Sequence, residues 1–147
     1  MDKEKHLEMI QNIITRMANC SFLIKGWTIT LIAAVFVLAA KDTDIKYIII
    51  TYIIIPTFWF LDGYYLSQER KYRALYDKVR ELSDTDYSMD TSSFDEGKNT
   101  WIRSVFSKTV CGLYIPLIVL VLIIMFIFPL SNYSPQKIYK KSTLPTV

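Results

Sequence analysis

Apolar residues in this chain are gathered into three long runs instead of being spaced along amphipathic elements. The longest run, from Thr109 to Leu130, extends over 22 residues without one charged side chain. A helix needs about 20 predominantly apolar residues to cross a hydrocarbon core about 30 Å thick. The run therefore predicts a transmembrane helix.

Two shorter apolar runs precede it, at residues 26–40 and 47–61. Each has 15 residues, which as a helix would reach only about 22 Å. We therefore expect spans extended to about residues 21–40 and 47–66, or a bilayer thinned around them. The alternative, two buried helices of a soluble core, fits poorly beside the third run. The first run lacks a cleavage site of small residues, which indicates an uncleaved anchor.

Lys25 and Asp62 lie just inside the outer ends of these two spans, equally far from the turn KDTDIK between the runs. Two helices joined by so short a turn pack antiparallel, so the two charges would face each other as a membrane ion pair. Structural pairing, or snorkelling to the headgroups, is the favoured interpretation of this pair. A conduction path, a proton-sensitive switch and an oligomer contact remain open alternatives.

The same register continues into the segments that flank the two spans. Apolar residues recur there at heptad spacing, before the first span and after the second. The facing pairs would be Leu7 with Val79, Ile10 with Tyr76, and Ile14 with Tyr72.

Charged residues follow the same register, since Lys5 falls opposite Glu81 and Glu8 falls opposite Lys78. Agreement of apolar and charged positions predicts that both membrane helices continue into the cytoplasm as a paired helical stalk. The alternative for residues 3–20 is an amphipathic helix that lies on the membrane surface and needs no partner helix.

Periodicity ends near Ser83, and residues 84–100 are mostly acidic or small and polar, which predicts a solvated linker. A calcium loop is disfavoured because the glycine and the terminal glutamate of an EF-hand are missing. Residues 101–130 predict an interfacial helix and the third span, and residues 131–147 a flexible tail. The fold class is an all-α integral membrane protein: residues 1–83 form an antiparallel helical hairpin with a cytoplasmic stalk, and a third transmembrane helix follows.

Three tryptophans lie where predicted spans or the interfacial helix would meet the membrane surface. Aromatic residues are enriched at this level because one end of the ring is apolar and the other polar. Trp27, Trp59 and Trp101 are therefore candidate interfacial anchors.

The distribution of Lys and Arg predicts the orientation. Four lie at the amino-terminal side of the first span when Lys25 is included, two lie in the turn, eight separate the second and third spans, and three lie in the tail. A chain with three spans has its amino-terminal segment and the segment between the second and third spans on the same side of the membrane. That side carries twelve Lys and Arg residues, and the other side carries five. The positive-inside rule then places the amino terminus and the linker in the cytoplasm.

Composition argues against several classes of function. The net charge of +3 comes without a basic stripe interleaved with aromatics, so no nucleic-acid partner is expected. The single histidine, His6, lies near a terminus expected to be flexible, and no metal-binding or nucleophile motif is present. We therefore expect no enzyme, no catalytic residue, no metal and no cofactor.

The segments FLIKGWTITLIAAVFVLAA and FWFLDGYYLSQERKYRALYDKVR resemble small bacterial membrane proteins in which a cytoplasmic helix follows a tight membrane hairpin. In that group the helix begins in a Glu-Arg-x-x-Arg-type run, which here is residues 69–73. The layout of residues 1–82 also resembles the SLATT-like two-helix membrane effectors of phage-defence systems. The resemblance implies an oligomer that perforates or depolarises the inner membrane when a partner releases it.

The sequence leaves two classes of function. The first is a multi-pass protein of the bacterial inner membrane that self-associates in the lipid bilayer and acts as an effector or a channel-like element. The alternative is an accessory or anchoring subunit whose stalk and linker dock a soluble cytoplasmic protein.

Overall fold

The computed structural model describes residues 2–42, 46–83 and 86–131, so the middle of the KDTDIK turn and the predicted tail beyond Ser131 lie outside the described residues. Within this part of the chain all regular structure is helical and no β-strand forms. The helices are α1 (Lys3–Asp42), α2 (Lys46–Glu81), α3 (Trp101–Val105) and α4 (Lys108–Ser131). α1, α2 and α4 are each long and apolar enough to cross a membrane, which confirms that part of the prediction.

α1 and α2 are much longer than the apolar runs that they contain. They have 40 and 36 residues, which correspond to about 60 and 54 Å of helix. They lie alongside each other with opposite chain directions: the Lys3 amine donates to the carbonyl of Arg80 at 2.9 Å, and Lys25 lies against Asp62. Each helix therefore has an apolar half and a polar half, and like halves are paired.

The polar halves of α1 and α2 share a small apolar core. Ile10 and Ile14 of α1 are buried against Leu75 and Val79 of α2. Five further side chains pack partly buried around these four: Leu7, Tyr72, Tyr76, Met89 and Phe94. The six residues expected to form stalk contacts thus belong to one cluster.

The charged pairs expected in the same register do not form. Within the part of the chain that the structure describes, neither Lys5 with Glu81 nor Glu8 with Lys78 is an ion pair. Instead the Lys78 amine stands 5.6 Å from the centroid of the Phe94 ring. Exposed ion pairs contribute little free energy, so a ring from the linker can compete for the lysine. These charges do not determine how the helices pair.

His6 is not in a flexible segment, contrary to expectation. α1 begins at Lys3, and the His6 side chain is fully buried. Its ring lies edge-on to Tyr87, with centroids 5.5 Å apart. Tyr87 has a left-handed backbone conformation with φ of 58°, which is uncommon for a bulky residue. Tyr87 of the linker therefore packs against His6 near the start of α1.

The rest of the linker follows α2 back toward the apolar end. It contains two short 3-10 turns, Ser92–Phe94 and Gly97–Asn99. Asp95 forms an ion pair with Lys71 at 2.9 Å, and the Ser67 hydroxyl donates to the carbonyl of Asn99. The linker is exposed but held against the helix at several points.

α3 crosses α2 at Gly63, where the two backbones approach closely. A Cβ placed on Gly63 would lie 2.8 Å from the Cα of Val105 and closer still to its Cγ2. The indole N–H of Trp59 donates to the Val105 carbonyl at 2.9 Å, and that of Trp101 donates to the Phe60 carbonyl at 3.0 Å. This junction determines where α4 begins relative to the other two long helices.

α1, α2 and α4 together enclose the apolar core of the membrane-length segments. The buried residues are Ile32 and Ala39 from α1, Ile55 from α2, and Val110, Tyr114 and Val121 from α4. Large apolar side chains remain exposed on the outer faces of all three helices, which fits helices long and apolar enough to cross a membrane.

Candidate functional site

A polar cluster lies at the boundary between the apolar and polar halves of the helix pair. The buried side of α1 repeats every seven residues, at positions 14, 21, 28 and 35. Ile14 and Val35 are apolar, but Ser21 and Thr28 bring hydroxyls into the interface between the helices. The facing residue of α2 is Asp62, whose side chain is fully buried.

Lys25, Ser21 and Asp62 form a closed triangle of hydrogen bonds. The Lys25 amine lies 2.7 Å from Oδ1 of Asp62 and donates to the Ser21 hydroxyl at 2.7 Å. The Ser21 hydroxyl in turn donates to the same Oδ1. The lysine side chain is 24% exposed whereas the aspartate side chain is not exposed at all. The carboxylate is therefore enclosed, and the amine stands between it and the outside.

The second carboxylate oxygen of Asp62 is unusual. Oδ2 is buried and has no hydrogen-bond partner within the described part of the chain. A buried acceptor without a partner costs about 1 to 3 kcal/mol. Within the described residues, Lys25 and Ser21 both bind Oδ1 and neither of them binds Oδ2.

Thr28 and Tyr114 extend the polar cluster one helical turn deeper. The Thr28 hydroxyl donates to the carbonyl of Ile24 and lies 3.5 Å from the Tyr114 hydroxyl. The Tyr114 hydroxyl donates to the Phe58 carbonyl at 3.2 Å. The buried Tyr114 ring stacks on Trp59 with centroids 5.9 Å apart. Polar groups from all three long helices thus follow one another from Lys25 inward.

The residues proposed from sequence as anchors occupy different environments. Trp27 and Trp101 are largely exposed, at 59% and 48%. Trp59 is partly buried between Tyr114 and the α3 junction. Its indole therefore belongs to the packing of α4 on α2.

Sequence reasoning missed the residues that complete the cluster. Ser21 and Thr28 could have been found, because they continue the heptad positions of Leu7 and Ile14 into the first span. Tyr114 could not, because α4 is apolar on every side and no stripe marks its buried face.

The chemistry available to the cluster is limited to one carboxylate, one amine and three hydroxyls. Such groups can hold or pass a proton, or replace part of the hydration shell of a cation. Among the described residues, no three His, Cys, Asp or Glu side chains are gathered in a way that could hold a metal ion. No protein-family model matches the chain, and no curated protein or solved structure is similar to it.

Proposed function

We propose that this chain is a non-enzymatic protein of the bacterial inner membrane that self-associates and lets ions cross, as an effector in a defence system. In this proposal α1 and α2 form a membrane hairpin whose polar halves are a cytoplasmic stalk, and α4 is the third span. The excess of Lys and Arg on the side of the stalk and linker supports this orientation. The defence context rests on the SLATT-like layout of residues 1–82.

The observation that carries the proposal is the enclosed Asp62 carboxylate with its unpartnered Oδ2. A purely structural ion pair gains most when both oxygens are satisfied. An ionisable group inside an apolar span is costly and typically marks an ion or proton path. The polar groups that lead inward from Lys25 to Tyr114 give such a path a direction.

Self-association is supported by the way packed helices fill space. One apolar cleft between α2 and α4, beside Pro56, holds about 80 Å³. The interior of a three-helix bundle is normally filled by side chains at close packing, without a continuous water-filled channel. A path for ions therefore needs several copies, arranged so that the cluster or an equivalent face lines the passage between them.

The experiment is to express the full chain in bacteria, with and without its neighbouring genes, and to record membrane potential with a voltage-sensitive dye. Asp62→Asn and Thr28→Val are compared with the native chain. Loss of one hydrogen-bonding group worth about 1 kcal/mol corresponds to about a 5-fold change in the rate of depolarisation.

The matched control is Thr30→Val. Thr30 and Thr28 are both threonines of α1 whose hydroxyls donate to the carbonyl four residues earlier, but Thr30 is exposed and Thr28 is buried beside Tyr114. The proposal requires an effect of Thr28→Val and none of Thr30→Val. It is refuted if the native chain causes neither depolarisation nor growth arrest under any condition.

A second candidate function is a membrane anchor that docks a soluble cytoplasmic protein through the stalk. The supporting observation is a cleft of about 410 Å³ between α2 and the linker, lined by Leu75, Lys78 and Phe94 among others. If this candidate is correct, Lys78→Glu abolishes the cellular phenotype, whereas Asp62→Asn and Thr28→Val leave it unchanged.

A further inference from the structure

A notch between α2 and the linker gathers positive charge beside the α3 junction. On α2 it is lined by Arg70, Arg73, Ala74 and Asp77, which share one helical face, and Lys98 and Asn99 close it from the linker. Its volume is about 220 Å³, enough for a phosphate group and its immediate substituents. Three cations against one carboxylate leave an excess positive charge.

The cations of the notch are only partly neutralised by the protein. Arg73 is bound by Glu69 at 2.8 Å. Arg70 uses Nη1 to donate to the Lys98 carbonyl and to the Ser104 hydroxyl. Within the described residues, neither Arg70 nor the Lys98 amine has a carboxylate at ion-pair distance. The remaining N–H groups of Arg70 and the Lys98 amine are therefore available to bind an anion.

Apolar groups lie on the short helix α3 and at Phe106 just after it, next to Ser104, which Arg70 of the notch contacts. Ile102 and Phe106 are 69% and 66% exposed. With Phe60 and Trp101 they line a shallow apolar groove of about 50 Å³. Arg70 lies eight residues beyond Asp62 on α2, or about 12 Å along the helix. In the proposed orientation this is the headgroup layer, and the groove faces the acyl chains.

We propose that the notch binds the phosphate of an anionic phospholipid whose acyl chain lies in the groove on α3. The inference rests on the membrane insertion proposed above, but not on ion conduction. A phosphate matches Arg and Lys donors, and only a lipid also satisfies the adjoining apolar groove. The bound headgroup would hold the linker against α2 at the membrane surface.

The test is native mass spectrometry of the full chain in detergent, titrated with phosphatidylglycerol, phosphatidylcholine or water-soluble glycerol 3-phosphate. We expect binding of phosphatidylglycerol at concentrations at which the other two do not bind. Lys98→Gln and Arg73→Gln should each weaken it about 5-fold, since a direct charge-assisted contact with the phosphate contributes on the order of 1 kcal/mol.

The matched control is Arg103→Gln, which removes the same charge from an exposed position of α3, outside the notch. It should leave the affinity unchanged. Asp77→Asn removes the only lining carboxylate from an exposed position and should tighten binding, a gain that misfolding cannot produce. Arg70 is not substituted because it also holds the linker.

Two results would overturn the inference. If Arg103→Gln weakens binding as much as Lys98→Gln, the attraction is that of a diffuse positive surface. If glycerol 3-phosphate binds as tightly as the lipid, the notch is a site for a free phosphate. A chain that binds phosphatidylglycerol yet never depolarises cells refutes the proposed function alone, so the two failures are distinguishable.

Discussion

The close approach of α2 and α3 at Gly63 makes a sharp test of the packing. In Gly63→Ala the new methyl group would lie 2.8 Å from the Val105 Cα and 3.0 Å from its backbone nitrogen. Backbone atoms cannot rotate away as a side chain can, so the helices must separate. Overpacking of this kind costs about 1 to 3 kcal/mol.

Gly26→Ala is the matched control, because Gly26 also lies inside a long helix but a Cβ there would meet nothing within 4 Å. Alanine in a helix interior is more stable than glycine by about 0.5 to 1 kcal/mol. Because both substitutions share this gain, the two variants should differ by the overpacking cost of about 1 to 3 kcal/mol, or roughly 3 to 9 °C in melting temperature for a chain of this size.

Thermal unfolding in detergent, followed by tryptophan fluorescence, measures this difference. Trp59 and Trp101 both donate hydrogen bonds across the junction, so their emission reports its opening. Val105→Ala added to Gly63→Ala should restore only part of the loss, since it removes the Cγ2 contact and leaves the backbone contacts. Equal melting temperatures for Gly63→Ala and Gly26→Ala would refute the close packing of α3 on α2.

Three further outcomes are expected. Lys25→Ala should destabilise the fold by about 3 kcal/mol because it leaves the enclosed carboxylate without its cation. Asp62→Asn should cost less because the remaining Lys25 amine can reach water. Equal losses in the free energy of unfolding, measured by chemical denaturation, would contradict this asymmetry. The charge-swapped double variant should not recover the loss, because an ammonium at position 62 would be fully enclosed, and full recovery would show that the site is open. The backbone N–H and the hydroxyl of Ser92 donate to the Asp90 carboxylate and lower its pKa. Ser92→Ala should therefore raise the pKa of Asp90 toward its ordinary value, as measured by carboxyl NMR. Because this pKa is depressed in the folded chain, the associated stability is present above the unfolded pKa and disappears as pH falls through the folded pKa.

Part of the architecture could be predicted from sequence because it depends on properties that a run of residues carries by itself. A charge-free run such as residues 109–130 indicates a membrane-length helix without knowledge of its neighbours. The juxtaposition of Lys25 with Asp62 followed from equal distances to a short turn. Those inferences use only chain geometry and the cost of charge in an apolar medium.

Other features depend on three-dimensional context. The sequence does not distinguish Gly63 from the other three glycines. Only the structure shows that a Cβ would collide with a neighbour at Gly63 and would meet nothing at Gly26, Gly97 or Gly112. The buried face of α4 was hidden because the helix is apolar on every side. The charge pairing of Lys78 was predicted wrongly because Phe94 of the linker competes for its amine at little energetic difference.

The uninterrupted course of α1 has a mechanical consequence. From His6 to Lys25 the helix contains neither glycine nor proline, so this segment is a straight stretch of helix about 29 Å long. α2 is equally unbroken from Tyr64 to Glu81. A displacement of the helix ends at the contact between His6 and Tyr87 would therefore be transmitted along both helices to Asp62, because neither segment contains a glycine or proline hinge.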